Sequence, residues 1–147
     1  TNFNSYMKSN TNGFNYEPDS NEEFMNPKQL EFFKNKLLVW KEELLKETNA
    51  TLEKLKEDSS NKPDSTDRAS QESDRTLELR TRDRARKLLS KINKALTKID
   101  DGTYGYCEET MEPIGLERLK ARPIATLTLE AQENHEKSEK VYKEKEY

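Results

Sequence analysis

The sequence predicts a mainly α-helical protein, in which a long antiparallel coiled-coil hairpin stands on a small globular base. Only 31% of the 147 residues are hydrophobic and 37% are charged, which is too little apolar material for a thick core. A two-helix hairpin needs only a narrow apolar seam. Two apolar stripes at helical spacing are present, with a polar turn between them. Partial disorder would fit the composition alone, but the periodicity favours the hairpin.

The first apolar stripe predicts a helix that begins near Asn26-Pro27 and fades near residues 58–60. Asparagine is a good N-cap residue, and proline is favoured at the first helical position. The members of the stripe are Leu30, Phe33, Leu37, Trp40 and Leu44, followed more weakly by Thr48, Leu52 and Leu55.

The second stripe predicts a helix that ends at residues 100–102, because Gly102 can adopt the left-handed conformation that terminates helices. Arg84 interrupts this stripe. Its apolar members and one threonine are Leu77, Thr81, Leu88, Ile92, Ala95 and Ile99.

The polar turn at residues 59–67 joins two helices of similar length, so they should fold back antiparallel. About 30 residues in each helix give a hairpin of about 45 Å, at about 1.5 Å rise per residue. The same stripes could instead pair between two chains in a coiled-coil dimer. The turn favours the intramolecular hairpin and a monomer.

The sequence divides into three parts. Residues 1–25 form an N-terminal arm whose apolar residues lack a helical period. We expect this arm to be partly flexible, and its aromatic residues leave docking on the base as an alternative. Residues 26–102 form the hairpin, with its tip at residues 61–69. Residues 103–147 form the globular base and a C-terminal helix.

Within the base, glycines and prolines punctuate residues 103–127 and predict turns or a small β element. Thr128 is well placed as the N-cap of a final helix that begins at about Leu129. The Glu/Lys-rich end of this helix should fray.

The distribution of charge limits the kinds of partner. The net charge of −3 argues against a protein that coats DNA, and we expect no sequence-specific DNA binding. Residues 22–58 hold seven Lys/Arg and nine Asp/Glu, whereas residues 71–99 hold nine Lys/Arg and four Asp/Glu. The two helices should therefore attract each other, and the second should present a basic outer face.

The single cysteine, Cys107, excludes an intrachain disulfide and indicates a reducing cytoplasm. The longest purely apolar run extends only from Leu37 to Trp40, and no apolar leader opens the sequence. We therefore expect neither a membrane span nor secretion.

Four segments carry a specific pattern in a fixed order, together with Trp40 in the first helix. They are residues 62–69 (KPDSTDRA), 77–84 (LELRTRDR), 105–107 (GYC) and 114–123 (IGLERLKARP). These segments resemble the DksA/TraR family of RNA polymerase-binding transcription factors. The resemblance extends over about residues 25–137.

The resemblance implies a zinc-finger-like base with a protruding coiled coil. It also implies binding in the secondary channel of bacterial RNA polymerase, with the coiled-coil tip near the active centre. There the family alters the lifetime of promoter open complexes and acts with the alarmone guanosine tetraphosphate in the stringent response.

The tip residues of the family match Asp64, Asp67 and Ala69 in this sequence. From the residues alone, aspartates in a turn are caps and turn formers, and Asp67 is well placed to cap the second helix. Both roles can coexist at Asp67.

A basic cluster lies on the second helix at Arg80, Arg82, Arg84, Arg86 and Lys87. Helical geometry spreads these five residues around the cylinder, so they do not form one continuous nucleic-acid stripe. The resemblance implies polymerase contact for Arg80 and Arg84. The alternative is an ordinary solvated face.

The nucleotide contacts of the family match Leu88, Lys91 and Arg122, and two of these are cations suited to phosphate. A further lysine of the family is replaced by Gln132, which should weaken phosphate binding. Guanosine tetraphosphate is therefore expected as a possible effector, and no other cofactor is expected.

Typical family members bind a structural zinc through four cysteines. Here the matching positions hold Cys107, Thr110, Thr128 and Ala131, so three of the four thiolates are missing. The sequence resembles the zinc-less branch of the family. Its base must be held by the packing of residues such as Tyr106, Ile114, Leu116, Leu119, Ile124 and Leu127.

Two other functions fit a hairpin. A transcript-cleavage factor of the Gre type would hold a catalytic magnesium with tip carboxylates, and a structural coiled-coil adaptor would not need them. We expect no enzymatic activity. The chain has one histidine and one cysteine, and neither a glycine-rich phosphate loop nor a nucleophile–base pair is recognisable.

Overall fold

The computed structural model describes residues 16–60 and 68–145. This part of the chain contains four helices: α1 (Pro27–Ser60), α2 (Arg68–Asp101), α3 (Leu116–Ala121) and α4 (Leu129–Lys145). In the described residues, the extended backbone pairs only at an isolated antiparallel bridge between Tyr106 and Pro113. The predicted mainly α-helical class is therefore confirmed.

Helix α1 begins where the sequence predicts, and a side chain fixes the start. Oδ1 of Asn26 accepts a hydrogen bond from the backbone N–H of Gln29 at 2.9 Å. The carbonyl of Asn26 accepts from the N–H of Leu30 at 3.0 Å. Asn26 is therefore an N-cap, and Pro27 occupies the first helical position, where its missing N–H has no helical partner to lose.

Helix α2 ends in a Schellman motif. The N–H of Thr103 bonds to the carbonyl of Lys98 at 2.9 Å, and the N–H of Gly102 bonds to that of Ile99 at 3.3 Å. Gly102 has φ 78°, the left-handed conformation that this motif requires. The predicted helix end is confirmed.

Helices α1 and α2 pack against each other along the hairpin. Each contains 34 residues, which corresponds to about 51 Å of helix. Lys34, near the start of α1, lies 3.9 Å from Asp100, near the end of α2, so the two helices run antiparallel. The two predicted apolar stripes face each other within one chain.

The apolar seam is strongest beside the base and thins toward the tip. Phe33, Leu37 and Ile92 are fully buried. Near the other end, Leu55 is only half-buried, and Leu77 is 47% exposed. Because few apolar contacts hold the distal part, we expect it to open locally more readily than the proximal part.

The interruption of the second stripe at Arg84 has a simple structural reason. Arg84 is exposed, whereas the next residue, Ala85, is half-buried. Ala85 lies four residues after Thr81 and three before Leu88, so it continues the seam at helical spacing. The stripe is therefore narrow at this point but unbroken.

The base continues the core of the hairpin. Tyr104, Cys107, Ile114, Leu116, Leu119 and Ala131 are buried with the proximal residues of α1 and α2. Helix α3 was not expected, since the sequence predicted only turns or a small β element here. Its six residues are too few to show a helical period, and the glycine and proline on either side dominate the sequence pattern.

Part of the N-terminal arm packs on the base. Gln29 is fully buried; its Oε1 accepts from the N–H of Met25 at 2.8 Å, and its Nε2 donates to the carbonyl of Asp19 at 3.4 Å. The ring of Phe24 meets that of Tyr106 edge-on at 5.6 Å. Residues 16–26 therefore connect α1 to the base, while residues 1–15 lie outside the described part.

Helix α4 begins with the predicted cap, because Oγ1 of Thr128 accepts from the N–H of Ala131 at 3.2 Å. Beyond Gln132 all described residues of α4 are exposed. In the parts of the chain that the structure describes, no helix has the length and apolar character needed to cross a membrane.

Candidate functional site

The predicted tip falls between the far ends of α1 and α2. Helix α1 ends at Ser60 and α2 begins at Arg68, so Asp64 and Asp67 lie outside the described residues. Ala69 is the second residue of α2, and it is exposed. The functional role of these three residues stays a prediction.

The cations of α2 form a row that the sequence reasoning missed. At about 100° per residue, six of them fall within a sector of α2 about 80° wide, which contains no carboxylate of that helix. We call this row the basic flank, and it consists of Arg80, Arg84, Lys87, Lys91, Lys94 and Lys98.

The basic flank extends over about 27 Å, from Arg80 to Lys98. Five of its six members are exposed, and Lys98 is half-buried. Arg82 and Arg86 point to other sides of the helix, as expected from the sequence. The signal in the sequence is the spacing of three and four residues that links Arg80 and Arg84 through Lys87 to Lys91, Lys94 and Lys98.

Two members of the flank are held by carboxylates. Asp83 pairs with Arg86 at 2.6 Å and with Lys87 at 3.0 Å. Hydrogen bonds from Lys87 and Arg86 hold the pKa of Asp83 below its ordinary value. Lys98 pairs with Glu108 in the base, which ties the proximal end of the flank to the loop that carries Cys107.

The residues matched to nucleotide contacts lie on two elements. Leu88 packs against the core, and Lys91, one helical turn later, is exposed on the basic flank. Arg122 is exposed just after α3. Gln132 is half-buried, and its amide donates to Glu136 at 3.1 Å. These roles remain predictions.

The backbone on both sides of Arg122 is held by buried side chains. Nζ of Lys36 donates to the carbonyl of Lys120 at 2.7 Å. The hydroxyl of Tyr104 donates to the carbonyl of Pro123 at 2.7 Å. Burial lowers the pKa of Lys36, the charge of Lys120 lowers it further, and Glu17 opposes both. Burial also raises the pKa of Tyr104 well above its ordinary value.

Of the four positions predicted for zinc ligands, only one holds a cysteine, Cys107. Cys107 is fully buried, and Oγ1 of Thr128 lies 4.0 Å from its Sγ. Ala131 is 4% exposed, and its methyl side chain offers no donor atom. Among the described residues, no cluster of histidine, cysteine or carboxylate side chains could hold a metal ion. This donor set does not fit a four-thiolate zinc.

Hydrogen-bond donors surround the sulfur of Cys107. Burial raises the pKa of the thiol, but the Thr110 hydroxyl and the backbone N–H groups of Thr128, Thr110 and Glu109 outweigh it. Together they bring the pKa to about 7, below its ordinary value of 9.0. The loop and the start of α4 thus meet at a sulfur that accepts hydrogen bonds.

Two family profiles match consecutive parts of the chain. The profile described as DnaK suppressor protein DksA, N-terminal domain, matches residues 29–99. The profile described as prokaryotic dksA/traR C4-type zinc finger matches residues 102–137. The first match corresponds to the hairpin, and the second to the base with the start of α4.

Individual proteins with similar sequences and structures point to the same family. The RNA polymerase-binding transcription factor DksA of Caulobacter vibrioides is 59% identical over 129 residues, covering 88% of this chain and 91% of the relative. The protein of the same name from Escherichia coli is 44% identical over 115 residues, covering 78% and 76%. The structure of transcription factor DksA2 from Pseudomonas aeruginosa matches with a TM-score of 0.74 and 42% identity, covering 84% of this chain and 94% of that one.

The architecture defines a coiled-coil hairpin protein with a zinc-finger-like base. Together with these matches, it shows that the chain belongs to the DksA family. The likeness to DksA2 also confirms the predicted fold class.

Proposed function

We propose that this chain binds bacterial RNA polymerase and regulates transcription without catalysing a reaction of its own. The observation that carries the proposal is the match to relatives named RNA polymerase-binding transcription factor DksA, at 59% identity over 88% of the chain. The two described helices that pack against each other, of 34 residues each, also support it.

The hairpin is a suitable probe for a narrow channel. Two packed helices are about 20 Å across, and most of their polar side chains point outward. In our proposal the tip enters the secondary channel of the polymerase and the base stays at its entrance. Asp64 and Asp67 then act near the active centre and shorten the lifetime of promoter open complexes.

The basic flank supports a docking role for one side of the hairpin. Lys87 and Lys98 are engaged by Asp83 and Glu108. The other four cations of the flank, Arg80, Arg84, Lys91 and Lys94, are exposed, so they complement an acidic protein surface and steer association. Arg80 and Arg84 occupy its distal end, so we assign polymerase contact to this side of α2. We assign the contact with guanosine tetraphosphate to Leu88, Lys91 and Arg122, with the polymerase supplying the remaining ligands.

The test combines two assays on the purified protein: a pull-down of RNA polymerase and a measurement of how fast promoter open complexes decay. If the protein purifies as separate monomer and dimer fractions, each fraction is assayed. The proposal predicts co-purification with polymerase and faster decay of open complexes. Backtracked elongation complexes serve as the parallel assay: release of short RNA fragments would instead favour the Gre-type function. Failure to bind polymerase would favour a structural adaptor.

A further inference from the structure

The loop that carries Arg122 is fixed from two directions. Arg122 itself is exposed, yet both neighbouring stretches of backbone are anchored in the protein interior. Lys36 of α1 binds the carbonyl of Lys120, and Tyr104 binds that of Pro123, each at 2.7 Å.

Neither donor is an ordinary surface group. Lys36 is 9% exposed and Tyr104 is 2% exposed. Burying an ammonium group or a hydroxyl costs free energy unless it is hydrogen-bonded. Lys36 also places its charge at the C-terminal end of α3, where helix carbonyls favour a cation. Its ammonium lies 5.8 Å from the centre of the Phe32 ring, which gives the charge a second favourable contact.

The backbone of Arg122 takes part in the same arrangement. Its N–H donates to the carbonyl of Arg118 at 2.7 Å, and its carbonyl accepts from the N–H of Ala125 at 3.0 Å. The carbonyls of three of the four residues from 120 to 123 are therefore engaged, two by buried side chains and one by a backbone N–H. Because the backbone is already fixed, only the side chain of this exposed arginine has to be ordered when it binds an anion.

We propose that Lys36 and Tyr104 are positioning residues that fix the backbone from which Arg122 reaches a polyphosphate ligand. This inference deepens the proposed function and rests on it, because Arg122 must contact the nucleotide in the polymerase complex. The two donors act through the backbone and do not touch the ligand. They connect the hairpin, through α1, to the nucleotide-binding side of the base.

The test uses Tyr104→Phe, which removes one hydroxyl and keeps the ring, and Lys36→Met, which removes the ammonium and keeps most of the chain length. The matched controls are Tyr106→Phe, also in the base, and Lys34→Met, an exposed lysine of α1. For each protein, two quantities are measured with full-length chain and polymerase: the affinity without nucleotide and the guanosine tetraphosphate concentration that gives a half-maximal effect on open-complex lifetime.

We expect both positioning variants to raise the half-maximal nucleotide concentration by about threefold to tenfold, the range given by losing one net hydrogen bond. Polymerase affinity without nucleotide should change less than about twofold, as should both quantities for the controls. In an Arg122→Ala background, Tyr104→Phe and Lys36→Met should have no further effect, since nothing remains to be positioned.

Amide hydrogen exchange adds a readout that does not depend on polymerase. In Tyr104→Phe, exchange should accelerate at Arg122 and Ala125 and stay unchanged in the α1–α2 seam. Two results would overturn the inference: nucleotide effects of the same size with and without Arg122, or no effect of the positioning variants where Arg122→Ala has one. If the parent protein fails to bind polymerase, the proposed function fails instead, and unchanged exchange at Arg122 would still refute the positioning role.

Discussion

The hydroxyl of Thr128 lies 4.0 Å from the sulfur of Cys107, and the same hydroxyl caps helix α4 through the N–H of Ala131. The sequence resemblance predicts a metal-binding thiolate at this position in members of the family that have four cysteines. Here a helix cap and a buried thiol occupy the junction between the loop and α4. Packing and hydrogen bonds therefore hold this junction together in the described residues.

The first prediction concerns zinc. Because one thiolate cannot make a structural zinc site, tag-free protein should contain well under one zinc per chain by elemental analysis. A chelator should leave the thermal unfolding midpoint unchanged. Near-stoichiometric zinc, together with unfolding by the chelator, would show that the base is a metal site after all.

The second prediction concerns the pH dependence of Cys107. The thiol pKa is lowered to about 7 in the folded chain, from an ordinary value of 9.0. A lowered pKa favours the folded state fully above the unfolded pKa, and this advantage is lost as the pH falls through about 7. The stability of the parent relative to Cys107→Ala should therefore increase between about pH 6 and pH 9.

Thiolate absorbance in the ultraviolet should show the same midpoint directly, and Cys107→Ala is its blank. Denaturant unfolding at several pH values gives the stability difference. A difference that is flat with pH, or a thiol that titrates at its ordinary value, would contradict the hydrogen-bonded arrangement around the sulfur.

The third prediction tests the docking of the arm on the base. A Cβ at Gly105 would lie 3.0 Å from Cγ and Sδ of Met25, whereas a Cβ at Gly102 would meet nothing within 4 Å. Both glycines have positive φ, so both alanine variants carry backbone strain of about 1–2 kcal/mol. Gly105→Ala should cost about 1–2 kcal/mol more, because it also overpacks the contact with the arm.

Chemical denaturation of the two glycine variants separates strain from packing. Shortening Met25 should relieve part of the cost of Gly105→Ala and none of the cost of Gly102→Ala. Equal losses in both variants would mean that the arm does not press on the base at this point.

The fourth prediction concerns the basic flank. Arg80→Ala and Arg84→Ala should each weaken polymerase binding by about threefold to tenfold at low salt, and less at high salt. Arg82→Ala is the control, because Arg82 points to the opposite side of α2 and pairs with Glu78 at 3.2 Å. That exposed pair should contribute about 0–1 kcal/mol to stability and nothing to binding. If all three variants weaken polymerase binding equally, the basic flank is not the side of α2 that binds polymerase.

The sequence was informative where a local rule applies. Asn26, Thr128 and Gly102 fix helix ends through their own side chain or backbone conformation, and the structure confirms all three. The two apolar stripes also predicted the hairpin, because apolar residues that repeat at helical spacing show which face of a helix is buried.

Contacts between residues far apart in the chain could not be predicted from the sequence. Lys36 lies among the apolar residues of α1, but its partner is 84 residues away, and no period or motif connects the two. The bond from Tyr104 to Pro123 and the contact of Met25 with Gly105 likewise depend on the packed base. The one sequence feature that pointed to a buried Lys36 was its place next to an apolar stripe. A solvated lysine would have the same place.

We propose that Asp64 and Asp67 act after binding, at the polymerase active centre. Replacing both with Asn removes two charges and keeps side chains of the same size that can accept hydrogen bonds. Any capping loss should be about 1 kcal/mol or less, because asparagine is itself a good cap. The double variant should therefore fold, and the base and the basic flank should still bind polymerase.

The decisive measurement compares polymerase affinity and open-complex lifetime for the parent and the double variant, on the same promoter and with the same polymerase preparation. We predict unchanged affinity, within about twofold, and open complexes that decay as slowly as without the protein. A double variant that shortens open-complex lifetimes as well as the parent does would contradict the acidic-tip mechanism.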